Sequence, residues 1–227
     1  MNLRAEVLTR MSADSAAIDA FLAAANNYSK TIASQIPWPY SLLEWTPQDE
    51  APEPVRRVVA VVHDNVEWLR GVVNEHGWPG KSVVGEDGMD AFWLLLQHAG
   101  SGVPTIGTPA NLAFQASCIP LLHQAVQAGE AHPRHLAHIV DNQRERTNQL
   151  PDYAVMETAF ALEDDELVLR PGLDADTIND NRAQIGLLPL SVDLERRRTG
   201  NPPDATDGTR PEPWPSLTPP RSPQARP

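Results

Sequence analysis

One cysteine, Cys118, stands in a chain of 227 residues, which excludes any intrachain disulfide. Stability must therefore come from packing, and a reducing compartment suits such a chain. Basic residues are also scarce: 18 Lys and Arg against 30 Asp and Glu give a formal net charge of -12. That balance argues against nucleic acid or an anionic membrane as the main partner, because both demand clustered cationic side chains. No apolar run approaches the roughly 20 residues that span a bilayer. The N-terminus "MNLRAEVLTRMSADSAAIDAF" is amphipathic rather than leader-like, so the expectation is a cytoplasmic protein. The familiar catalytic signatures are missing as well. There is no GxSxG elbow, dinucleotide fingerprint, HExxH or CxxC, and the "GKS" at Gly80 to Ser82 lacks the earlier glycine of a phosphate loop.

What the chain does have is helical periodicity. Leu3, Val7, Met11, Ile18, Phe21 and Leu22 recur at three-to-four spacing, predicting a helix from residue 3 to about 33 that Pro37 and Pro39 stop. Residues 55–75 form a second helix, valine-rich but too long and too regularly spaced for a strand, with Gly77 as its cap. Further helices are expected at about 89–99, 110–128 and 133–146, the last opened by Pro133. Residues 150–174 read as irregular or weakly extended, and short helices near 177–184 and 191–197 close the domain.

Beyond Arg198 the chain becomes proline-rich and aperiodic, the composition of a disordered tail over 199–227. The fold class is thus all-α, an irregular helical bundle over residues 1–198. Between Glu157 and Asp180 eight carboxylates face a single base, Arg170. This acidic segment reads first as a solvated surface; together with the proline-rich tail it is also where a protein partner would dock.

Projection of each helix at 100° per residue identifies polar side chains on apolar faces. Asp14 falls between Val7, Ile18 and Phe21; Asn65 lies within the stripe of Val58, Val62, Leu69 and Val72. His98 sits between Leu94 and Leu95 on a helix apolar nearly all round, and Gln115 shares a face with Cys118, Ile119 and Leu122. Unpartnered burial of such groups costs on the order of a few kcal/mol each, so they are expected to satisfy one another, backbone or a ligand. A shared interior cluster is either a network that fixes helix register or a pocket. In a pocket, His98 would transfer protons, Asp14 would orient it, and Asn65 and Gln115 would hold a small polar or peptide substrate. No metal and no dissociable cofactor is called for. The run "HPRHLAHIVD" sweeps its His132, His135, His138 and Asp141 through about 180° of helix, too wide to converge on one ion. Its histidines are expected to be exposed, with His138 and Asp141 turned away from the buried stripe of Leu136, Ile139 and Val140.

Three segments, "EHGWPGKSVVGEDGMDAFWLLLQHA", "FQASCIPLLHQAVQAGEA" and "RAQIGLLPL", resemble an uncharacterised bacterial family known only as a domain of unknown function. The family pattern runs through an Asp-Gln motif, an Asn-bearing helix, a GWP turn, a QHA helix, an FQ helix, an Asp-Arg pair and a Tyr-Gly-Thr-Gln segment. On that resemblance Asp14, Asn65, Trp78, His98, Gln115, Asp141 and Tyr153 are the matching positions, and Asp141 and Tyr153 join the candidate substrate-binding set. The chain departs from the pattern after three of them, with Ser15 for Gln, Asn142 for Arg and "AVME" after Tyr153. The departures imply a modified specificity or a lost activity. Two functions stay open: His98-centred hydrolysis, elimination or isomerisation, and a non-catalytic acidic partner-binding or immunity-like module.

Overall fold

The computed structural model describes residues 2–31, 53–101, 106–163 and 166–199, with the side chains of the first helix described as far as residue 23. The stop expected at Pro37 and Pro39 and the proline-rich tail lie outside the described residues.

Seven helices and one small hairpin make up the described chain: α1 (Leu3–Thr31), α2 (Glu53–His76), α3 (Lys81–Ala99), α4 (Pro109–Gln127), α5 (Pro133–Arg146), β1 (Phe160–Glu163), β2 (Glu166–Leu169), α6 (Ala175–Gln184) and α7 (Leu190–Arg198). The architecture is all-α, an irregular bundle organised around α3. That helix packs against α1, α2, α4 and α5, while α4 and α5 pair with each other. Its central position follows from composition. Every residue from Ala91 to Leu96 is buried, so a helix apolar on all sides can only be covered on all sides. None of the described helices is long and apolar enough to cross a membrane.

The turn between α2 and α3 is shorter than expected. Gly77 caps α2 in the left-handed region at φ 72°, and its N–H donates to Val73 O at 2.9 Å. The chain then becomes helical at Lys81, not at residue 89. Glu130, reaching from beyond α4, makes this early start stable: its carboxylate accepts the Ser82 N–H and its backbone carbonyl accepts the Lys81 N–H, both at 2.9 Å. Two of the orphan donors of the helix start are thus satisfied by a residue no local pattern could reveal. A kink interrupts α3 at Gly85, which adopts φ 75°. Trp78 in the turn packs edge-on against Phe92, with centroids 5.1 Å apart.

The described part of the segment after α5 is extended in places, as expected. Residues 160–163 and 166–169 pair antiparallel, with Phe160 opposite Leu169 and Glu163 opposite Glu166. A second, small core of Ala154, Ala159, Ile178 and Leu190 ties this hairpin to α6 and α7.

Candidate functional site

All four polar residues projected inward are buried: Asp14, Asn65, His98 and Gln115. Three of them meet. The Asp14 carboxylate receives the Asn65 amide N–H on Oδ1 at 3.1 Å, while Oδ2 lies 2.6 Å from His98 Nδ1. α1, α2 and α3 each contribute one group, brought together because each side chain occupies the apolar face its helix turns to the other two. A carboxylate at Nδ1 selects the tautomer with its proton there, which makes Nε2 the basic nitrogen of the ring.

The amide orientation of Asn65 is fixed from both sides. Asp14 can only accept, so the Asn65 nitrogen must face it; the Asn65 oxygen then accepts from Arg10 Nη1 at 3.2 Å, and a guanidinium can only donate. Arg10 itself bonds Asp64 at 2.6 Å and lies over the Trp68 ring at 4.9 Å. Sequence projection missed Arg10. Its signal was the spacing, since it stands one turn before Asp14 on the same helix.

Gln115 lies elsewhere. Its Nε2 donates to Leu96 O at 3.0 Å, and its Oε1 accepts from Asn142 Nδ2 at 2.9 Å and Gln143 Nε2 at 2.7 Å. Asn142 also donates to Gly100 O at 3.1 Å. The expected single cluster is therefore two. A proton-bearing group joins α1, α2 and α3, and an amide knot ties α4 and α5 to the C-terminal turn of α3. Asn142 stands where the resembling family has Arg, and here it is a member of that knot.

Asp141 turns inward, contrary to the expectation from its helix stripe. It is 1 % exposed, and its carboxylate accepts three backbone N–H groups: Asp152 and Tyr153 on Oδ1 at 2.9 and 3.0 Å, Val155 on Oδ2 at 2.9 Å. The segment after α5 folds back over this face, and its amides need an acceptor that apolar side chains cannot supply. Burial nonetheless pushes the Asp141 carboxyl above the usual carboxylate range, against the opposing pull of those three bonds. Tyr153 is half-buried, and burial followed by the charges of Asp152 and Asp141 raises its phenol. Beside Asp141 a cleft of about 50 Å³ is lined by Glu145, Met156, Thr158 and Arg170 among others. Ligand pockets usually run to several hundred Å³, so this cleft is small by comparison.

The histidine run on α5 is also covered rather than exposed. His135 is buried and donates through Nε2 to Asp90 Oδ1 at 3.0 Å; His132 and His138 are half-buried. The cause is Trp93, whose indole stacks on His135 and meets His138 edge-on. Among the described residues no group of three or more His, Cys, Asp or Glu side chains is placed to hold a metal ion. Cys118 is buried, and desolvation drives its thiol up to about 11, the state of an inert core residue.

Fold and site together define a helical bundle with a buried carboxylate–imidazole pair at the junction of three helices. Residues 42–197 match the model of a family of unknown function, DUF6624, and the chain belongs to that family. The match includes Asn65, His98, Gln115, Asp141 and Tyr153; Asp14 and Arg10, on α1, precede it. No curated protein matches the chain significantly. No solved structure does either.

Proposed function

We propose that the protein is an enzyme in which His98 acts as general acid and base on a small polar or peptide substrate, with Asp14 orienting the ring. The observation that carries this reading is the 2.6 Å contact between Asp14 Oδ2 and His98 Nδ1, held inside the bundle and braced by Asn65. A buried carboxylate that receives the Nδ1 proton fixes the ring's orientation, leaves Nε2 to take a proton from substrate or water, and stabilises the imidazolium that results. The chemistry is hydrolysis, elimination or isomerisation. The ring is 6 % exposed, so turnover requires that substrate gain access to Nε2 while the Asp14 contact is kept.

The test is a panel of small amides, esters and dipeptides assayed with the wild-type protein and with His98→Gln. Any turnover found should fall about a hundredfold or more in the variant, with the melting temperature nearly unchanged. A large loss of stability with turnover per folded molecule preserved would sink the catalytic role.

A second reading has its own observation. Glu157, Glu163, Glu166, Asp174, Asp176 and Asp180 are all exposed on the hairpin, the turn before it and the α6 region. Such a face suits a cationic protein partner, as an acidic binding or immunity-like module would need. Charge reversal at Glu163 and Glu166 should weaken that complex; an unchanged complex counts against it.

A further inference from the structure

The proton pair has a third and a fourth member that its proposed chemistry does not by itself require. Arg10 Nη1 donates to Asn65 Oδ1 at 3.2 Å, Asn65 Nδ2 donates to Asp14 Oδ1 at 3.1 Å, and His98 Nδ1 approaches Asp14 Oδ2 at 2.6 Å. Every bond points toward the carboxylate, and the branch through Asn65 begins at a cation. Arg10 is the charged end, about a quarter exposed, and it is anchored by Asp64 and by the Trp68 face.

We infer that Arg10 is a positioning residue that acts through the Asn65 amide to keep the shared proton on His98 Nδ1 rather than on Asp14. At an oxygen–nitrogen separation of 2.6 Å the proton has two wells, and the depth of each depends on how much electron density the carboxylate keeps. An amide whose oxygen is bound by a guanidinium is a stronger N–H donor, because hydrogen bonds in a chain polarise one another. Asn65 so polarised draws density from Asp14 Oδ1 and weakens Oδ2 as a base. When His98 takes up a second proton at Nε2, the pair then stays carboxylate and imidazolium. Without the relay the proton on Nδ1 drifts to Asp14, and the pair becomes a neutral acid beside a neutral ring. In the first state the Nε2 proton belongs to an imidazolium and can pass to a leaving group; in the second the same proton sits on a neutral imidazole, a far weaker acid. Asp64 accepts from the same Arg10 Nη1 at 2.6 Å, so its charge tempers the guanidinium and opposes the relay.

This inference deepens the acid/base reading, yet it is measurable without a substrate. The probe is the one-bond 15N–1H coupling of His98 Nδ1 in the full chain labelled with 15N-histidine, recorded at neutral pH. Arg10→Gln and Asn65→Leu should each lower the coupling and move the proton downfield. The expected fall is of the order of ten per cent, given that neighbouring bonds polarise one another by about 10–30 %. Arg10→Lys should retain most of the wild-type value, Asp64→Asn should not lower it, since it removes a charge that tempers Arg10, and the Arg10→Gln, Asn65→Leu double variant should equal the single ones. An unchanged coupling in Arg10→Gln overturns the relay. So does a change in Arg10→Gln that persists undiminished in the Asn65→Leu background, since that would be charge acting through space. Should Asn65→Leu fail to fold, Arg10→Gln against Arg10→Lys still decides. If the coupling responds but no substrate is turned over, the relay stands and the enzymatic reading falls; if turnover depends on His98 but the coupling does not respond, the reverse holds.

Discussion

The imidazole of His135 lies flat beneath the indole of Trp93, with ring centroids 4.4 Å apart and planes within 11° of parallel. α3 and α5 meet through this stack. Asp90 bonds the ring edge, while His132 and Arg134 add positive neighbours. Burial outweighs the attraction of Asp90 and lowers the imidazole to about 4.

Stability should therefore fall as the solution is acidified through the range between an ordinary histidine near 6.5 and that depressed value. The sign follows from proton binding. In this window the unfolded chain takes up a proton that the native ring refuses, so acid favours unfolding, and below about 4 the loss levels off. One pH unit is worth about 1.4 kcal/mol, so the whole effect is on the order of 3 kcal/mol. Urea melts at pH 7, pH 5 and pH 4 measure it. His135→Phe, which keeps a ring against Trp93, should flatten the slope; an equally steep slope in that variant would refute the assignment.

Gly100 sets a second test. A methyl group placed on its backbone would lie 2.2 Å from Gln115 Nε2 and 2.4 Å from Asn142 Nδ2. Gly100→Ala must push the amide knot apart, and overpacking of this kind costs about 1–3 kcal/mol. Thermal melting should show the loss. Gln115→Ala combined with Gly100→Ala should cost less than the two single losses summed, because the shortened side chain vacates the space the methyl needs. Strict additivity would mean that the two residues do not share it.

Arg182 and Asp193 hold the C-terminal helices. Arg182 is fully buried, donates to Tyr153 O at 2.8 Å and to Leu188 O at 2.6 Å, and lies 3.5 Å from Asp193, itself 2 % exposed. Arg182→Met removes one cation beside the buried Asp193 carboxylate and leaves Arg197 at 3.7 Å, a change worth at most about 3–5 kcal/mol. The double variant with Asp193→Leu should recover much of it. Hydrogen exchange should place the damage in α6, α7 and the hairpin, with α1 and α2 protected as before. Uniform loss of protection would show that the C-terminal part does not open separately.

These residues show what a sequence can and cannot disclose here. Helical spacing located the long helices and turned Asp14, Asn65, His98 and Gln115 inward, because periodicity is a statement about direction around an axis. It carries no statement about depth along that axis, or about which neighbour stands opposite. That is why Gln115 could not be separated from the other three. The width of a buried face was equally hidden. Asp141 and His135 fall outside the apolar stripe of α5, and only the segment after α5 and the indole of Trp93 extend the cover over them. Arg182 was invisible for another reason. Its helix is short and polar, and a charged residue becomes interior only through backbone carbonyls supplied from distant turns.

The pairing of Asp14 with His98 spans 84 positions of chain. Closing so long a loop costs entropy that local contacts do not repay, so the contact forms no earlier than the docking of α1 onto α3. A nascent or partly folded molecule has the histidine without its carboxylate. The proton pair is thus a signal of completed folding, and its NMR signature would time the arrival of the first helix.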